Sequence, residues 1–131
     1  MSIGTFSYPL PVNEPVLSYA PGTDERKRLK EVLAELKKTS MDVPMYIGSK
    51  EVRTNKKKPL HPPHETKHVL GYYHAGEEKH VQQAIDAALA ARQSWSETNW
   101  ETRAGIFLKA ADLMATKYRP YMNGTTMLGQ S

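Results

Sequence analysis

The sequence predicts an α+β chain, mainly helical, with an extended N-terminal arm and a short β-hairpin. Three observations lead there. Prolines crowd the first 22 residues, apolar side chains recur at helical spacing from residue 23 to 38 and again through the second half, and a Gly-Ser pair separates two short strand-like runs.

The arm, residues 1–22, holds Pro9, Pro11, Pro15 and Pro21 with Gly22. Proline fixes φ and removes a backbone donor, so an extended, irregular segment is expected. Phe6, Tyr8, Leu10, Val16, Leu17 and Tyr19 predict that it lies against another surface. Thr23 then offers an N-cap, and Asp24 and Glu25 suit the positive start of a helix. Leu29, Val32, Leu33 and Leu36 follow at i, i+3, i+4 and i+7, a single apolar stripe, with Lys37 and Lys38 at the C-terminal end. This helix should pack on one side only.

Residues 45–47 and 50–52 read as a hairpin. Gly48, in the first central position, permits the positive φ of a type II′ turn. Another strand is expected at residues 68–73, after a polar, Pro-containing connection over 54–67. So few short strands are marginal in water without a packed face. The second half reads as helix. Val81, Ala84, Ile85, Ala88 and Leu89 form a stripe on a helix over about residues 77–94, and residues 98–101 have capping-box spacing for the next. There Ala104, Phe107, Leu108 and Ala111 line one face, and Ile106, Ala110, Leu113 and Met114 another. A helix apolar on both sides belongs between two layers, yet the chain offers too little else to cover it. Pro120 should open a last helix from its first position. Trp95 and Trp100 bracket the turn before residue 101 and should anchor it.

Charge and composition exclude more than they assign. Eighteen Lys and Arg against fourteen Asp and Glu give +4, with a pI near 9.3 and a mean hydropathy of −0.62. Both signs alternate along the chain, unlike the concentrated basic face of a nucleic-acid binder. The one same-sign run, Lys56, Lys57 and Lys58 beside Pro59, reads as a solvated loop, with a phosphate patch as the alternative. There is no cysteine, which removes disulfides, thiolate metal sites and a cysteine nucleophile from these residues and fits an intracellular protein. No apolar run approaches the roughly 18 residues of a membrane span, and the start shows no export or organelle signal.

No candidate site survives this reading. His61, His64 and His68 lack acidic companions apart from Glu65, and Pro62 and Pro63 oppose a helix that would align the rings, so exposed loop histidines are expected rather than a metal site. Gly71 and Gly76 imitate phosphate-loop spacing, but Glu77 and Glu78 follow where Lys and Ser/Thr are needed. No catalytic, cofactor-binding or metal residue is assigned.

From Asn13 onward the chain resembles the N-terminal region of the L-glutamate γ-semialdehyde (Δ1-pyrroline-5-carboxylate) dehydrogenases of the aldehyde dehydrogenase superfamily. The resemblance rests on NEPVLSYAPG (13–22), the pattern of Glu25, Arg26, Leu29, Leu33, Glu35 and Leu36, MYIGSKEVRT (45–54), HVLGYYHAG (68–76), AIDAALAARQSW (84–95), IFLKAADLM (106–114) and TMLGQS (126–131). It implies a longer α/β parent with a Rossmann-type NAD domain, a catalytic domain and a β-flap that builds homo-oligomers. It also implies oxidation of glutamate γ-semialdehyde to glutamate with NAD, the last step of proline breakdown. The family's cysteine nucleophile, general-base glutamate and cofactor glycines are expected beyond Ser131.

On this reading residues 1–22 are the arm, 23–76 the helix and hairpin/strand region, and 77–131 a helical segment flanking the cofactor domain, together inactive alone. Its partners would be the remainder of the chain, the parent's small-molecule substrate and further copies of itself, not nucleic acid or membrane. Its location would be the cytoplasm, or the mitochondrial matrix if a transit peptide has been removed. The alternative is an autonomous interaction module built on the same scaffold. Gly105 and Gly124 depart from the family pattern, which carries Ala there, and should weaken their helices by roughly 1 kcal/mol each.

Overall fold

The computed structural model describes residues 10–131. Nine elements follow in order: α1 (Asp24–Lys38), β1 (Met41–Val43), β2 (Met45–Ile47), β3 (Lys50–Val52), β4 (Lys57–Leu60), β5 (Gly71–His74), α2 (Glu78–Glu97), α3 (Trp100–Ala115) and α4 (Arg119–Gln130).

The α1 stripe finds its partner in α4, the helix farthest from it in sequence. Val32 is fully buried and Leu128 nearly so, and they form the centre of this interface. Gly124 lies where the helices come closest: a Cβ there would stand 3.2 Å from both Val32 and Leu36. The expectation that Gly124 only weakens its helix therefore needs correcting, because the missing methyl leaves room for α1. Thr23 does precede α1, but its hydroxyl donates to the Ala20 carbonyl (2.9 Å) and does not cap the helix. Pro120 occupies the second position of α4, after Arg119.

β2 and β3 pair antiparallel, Met45 with Val52 and Ile47 with Lys50. Gly48 has φ +60° and Ser49 is not left-handed, which fits the type II′ geometry read from the Gly-Ser pair. The hairpin rests on α2, with the ideal Cβ position of Gly48 3.5 Å from the Ala87 Cβ. The other strands form a separate sheet in the order β1-β5-β4, with β1 parallel and β4 antiparallel to β5. The strand expected near 68–73 is β5. Two of its neighbours escaped the sequence reading. β4 lies inside the supposed polar connection of 54–67, and its lysines and Pro59 are residues that strands tolerate at an edge. β1 is three residues long and carries an aspartate. Gly71 is required beside it, because a Cβ would fall 2.1 Å from the Met41 carbonyl oxygen.

α2 starts at Glu78, where the Glu77 amide donates to His80 Nδ1 (2.9 Å). α3 is capped by Asn99, whose Oδ1 accepts from the Thr102 amide (2.9 Å), rather than by Thr98, which ends α2. No residue of α3 is buried: Phe107 is 69% and Ile106 52% exposed. The burial expected from two apolar faces is thus absent, since among the described residues no second layer lies over them. Residues 1–9, with Phe6 and Tyr8, fall outside the described residues. From residue 10 the arm is irregular: Leu10 and Val16 face solvent instead of a surface, while Leu17 and Tyr19 are half-buried as expected. It is fastened by Arg119, which donates to the Pro15 carbonyl (2.8 Å) and lies 3.8 Å from Glu14, and by Asn123, which donates to the Tyr19 hydroxyl (2.8 Å).

Candidate functional site

The densest polar cluster gathers where β1, β4, β5 and the β3–β4 connection meet. Asp42, in the middle of β1, receives Lys57 Nζ at 2.9 Å, Arg53 Nε at 3.2 Å and His74 Nε2 at 3.1 Å. Arg53 also pairs with Glu51, which accepts from the Tyr46 hydroxyl (2.8 Å). The Lys57 ammonium above all, then Arg53 and His74, holds the Asp42 carboxyl well below its ordinary 3.8, at about 2. Glu51 is lowered chiefly by the Tyr46 hydroxyl and then by Arg53. A carboxylate kept ionised by three donors accepts hydrogen bonds but makes a poor base near neutral pH. The cluster fastens strands together. It offers no nucleophile, and its carboxylates are poor bases.

The structure separates the loop histidines by giving His61 and His64 partners of their own. His61 Nδ1 meets the His68 carbonyl (2.8 Å), and His64 Nδ1 meets the Ser131 hydroxyl (2.8 Å). Glu65 is lowered mainly by its hydrogen bond from Lys37. His68 is half-buried, and its Nε2 has no partner among the described residues. No group of three or more His, Asp or Glu is arranged to hold a metal ion among the described residues. The lysine run does not make an anion site either. Lys56 pairs with Glu77 (2.7 Å) and Lys57 with Asp42, while Lys58 alternates with Lys57 along β4. Glu77, lowered by Lys56 and then by Lys79, keeps a negative charge at the entrance to α2, where a phosphate loop would need the reverse.

Between α1, β1, α4 and the β4–β5 connection lies an apolar cavity of about 210 Å³, lined by Leu36, Met41, Leu60, Leu70 and Leu128 with the His61 ring. Its polar members are the His61 ring, bonded to a carbonyl, and Thr125, whose hydroxyl is engaged by the Tyr121 and Met122 carbonyls, so it lacks the converging free polar groups that orient a substrate. The surface that stands out is on the second half. Val81, Ile85 and Leu89 on α2, and Ile106, Phe107, Leu108 and Met114 on α3, are each at least 46% exposed. Trp95 and Trp100, beside the α2–α3 turn, are 44% and 53% exposed. So many large apolar side chains left open on two helices mark faces that another body covers.

The sequence reading missed Asp42 and His74, and no local pattern could have flagged them. They are 32 positions apart and meet only because β1 and β5 pair. The apolar α2 and α3 faces, by contrast, were visible in the periodicity.

Comparison with known proteins follows the same lines. Residues 50–127 match the aldehyde dehydrogenase family. A Δ1-pyrroline-5-carboxylate dehydrogenase of Agaricus bisporus is 44% identical over 131 residues, which cover 98% of this chain and 24% of that protein. The mitochondrial enzyme of that name from Homo sapiens is 36% identical over 118 residues, 90% of this chain and 21% of that one. The crystal structure of the Mycobacterium tuberculosis Δ-pyrroline-5-carboxylate dehydrogenase bound with NAD superimposes with a TM-score of 0.94 at 35% identity, over 98% of this chain and 24% of that one. The chain spans about a quarter of the length of these relatives.

Proposed function

Because the chain belongs to the aldehyde dehydrogenase family, we propose that it is the N-terminal part of an NAD-dependent enzyme that oxidises L-glutamate γ-semialdehyde, in equilibrium with Δ1-pyrroline-5-carboxylate, to L-glutamate. In this role it is scaffold. Residues 10–22 tie the arm to α4, residues 23–76 set the sheet and hairpin, and residues 77–131 supply the helices that flank the cofactor domain.

The exposure of both apolar faces of α3, in a chain whose fold matches an NAD-bound relative over nearly its whole length, carries this reading. Covering a side chain such as Phe107 or Ile106 stabilises by about 1.5–3 kcal/mol, so these faces favour docking against the remaining three quarters of such a polypeptide. The residues present do not fit a dinucleotide. The turn between Gly71 and Gly76 enters α2 through Glu77 and Glu78, and no backbone cradle for a pyrophosphate accompanies it. The nucleophile, the general base and the NAD contacts belong to the other segments of the enzyme, whose partners would be its small-molecule substrate and further copies of itself. No helix among the described residues is long and apolar enough to cross a membrane. Relatives carry the designation mitochondrial in several eukaryotes, and this chain is assigned to the cytoplasm, or to the mitochondrial matrix if a transit peptide has been removed.

The coding sequence after Ser131 provides the test. A frame that runs on into a glycine-rich cofactor segment and a cysteine-bearing loop supports the dehydrogenase. A stop codon at that point overturns it in favour of an interaction module whose α2 and α3 faces bind a separate protein.

A further inference from the structure

His74 closes β5, and its side chain is only 1% exposed. Three polar atoms surround the ring: Asp42 Oδ1 lies 3.1 Å from Nε2, while the amide nitrogen and the carbonyl oxygen of Thr54 lie 2.8 and 2.7 Å from Nδ1. A neutral imidazole carries one N–H and an imidazolium two. Asp42, held ionised by Lys57 and Arg53, can only accept, so Nε2 carries a hydrogen in either state. In the neutral ring Nδ1 is then a lone pair that accepts the Thr54 amide. The Thr54 carbonyl faces the same lone pair with no proton between them. A proton on Nδ1 reverses the arrangement: the carbonyl gains a donor and the amide loses its acceptor. That proton would also add a third cation to a carboxylate already bonded by Lys57 and Arg53.

We propose that His74 is a proton-operated latch. Its neutral Nε2–H form holds Thr54 against the end of β5, and uptake of a proton at Nδ1 releases the Thr54 amide. Thr54 connects the latch to the rest of the fold. Its hydroxyl donates to the Ala75 carbonyl (3.1 Å), and the Ala75 amide donates to the Lys56 carbonyl (2.8 Å). Lys56 in turn pairs with Glu77 at the start of α2 (2.7 Å). The charged groups facing this corner are Asp42 from β1, Arg53 and Lys56 from the β3–β4 connection, Lys57 from β4, and Glu77, with Lys79 bonded to it, from the entrance to α2. Acid therefore exchanges the bond from the Thr54 amide for one to the Thr54 carbonyl and frees that amide, and alkali restores it.

The test is solid-state NMR of ¹⁵N-histidine-labelled protein at pH 8 and pH 5, a readout indifferent to molecular size, with His74→Asn identifying the signal by its loss. Hydrogen exchange at Thr54 is followed over the same pH range and corrected for intrinsic rate. The expected result is the Nε2–H tautomer at pH 8 and a several-fold rise in Thr54 exchange in step with ring protonation. That rise should be absent in His74→Asn, whose side-chain carbonyl can accept from Thr54 but cannot take up a proton. An Nδ1–H tautomer at pH 8, a ring that stays neutral at pH 5, or Thr54 exchange that ignores ring protonation overturns the proposal, each decided on the unsubstituted protein.

Discussion

At Gly124 and Gly105 the same substitution should have different outcomes, because one glycine faces a helix and the other faces open space. An added Cβ meets nothing within 4 Å at Gly105, but stands 3.2 Å from both Val32 and Leu36 at Gly124. Gly105→Ala should therefore gain about 1 kcal/mol from helix propensity alone. At Gly124 the neighbour Val32 is fully buried and β-branched, with little rotamer freedom to give way. Gly124→Ala should fall clearly short of the Gly105→Ala gain, as read from denaturant midpoints. Asp42 supplies a second prediction at this scale. Its folded-state pKa is depressed from 3.8 to about 2, so it contributes stability that is fully present above about pH 4 and is lost as the pH falls toward about 2. Asp42→Asn should flatten the acid limb of the stability profile in that window while removing the partner of Lys57 and Arg53. An unchanged acid limb would mean that the three donors do not act through this carboxylate.

Among the elements, α3 depends on its cap more than on its packing. Asn99 satisfies the Thr102 amide, and α3 buries no side chain that could compensate for its loss. Asn99→Ala should cost about 1 kcal/mol and fray the first turn, measurable as faster amide exchange at residues 101–103. β1 has a sharper requirement. Gly71→Ala would drive a methyl into the Met41 backbone, so the β1–β5 pairing should open and Asp42 should lose contact with His74. Strong protection of the residue 41–43 amides in Gly71→Ala would show that the strands tolerate the extra carbon. Helices and hairpin were legible because each carries its signal locally: the stripe of Leu29, Val32, Leu33 and Leu36, the Gly48-Ser49 turn, and Pro120. β4 was not, since Lys57, Lys58 and Pro59 have poor strand propensity and become a strand only by pairing with β5.

For the molecule as a whole, the expected behaviour of the isolated chain follows from what it leaves uncovered. Apolar side chains on α2 and α3, with Trp95 and Trp100 beside them, face solvent. The 131-residue chain should therefore self-associate as its concentration rises, as read by sedimentation, and substitutions such as Phe107→Glu should return it to a monomer. It should show no saturable NAD binding by calorimetry; a measurable stoichiometric site would overturn its assignment as scaffold. The amino-acid sequence by itself determined the helices, the hairpin turn, the unmatched apolar faces and the family, because these are written in local periodicity and in ordered motifs. Tertiary structure alone decided that α1 packs on α4 across Gly124, that β1 and β4 flank β5, and that Asp42, Thr54 and His74 share one corner. Those contacts join residues from 11 to more than 90 positions apart, and the free energy that selects them comes from burial and hydrogen bonding in the assembled fold, to which no single segment's propensity is a guide.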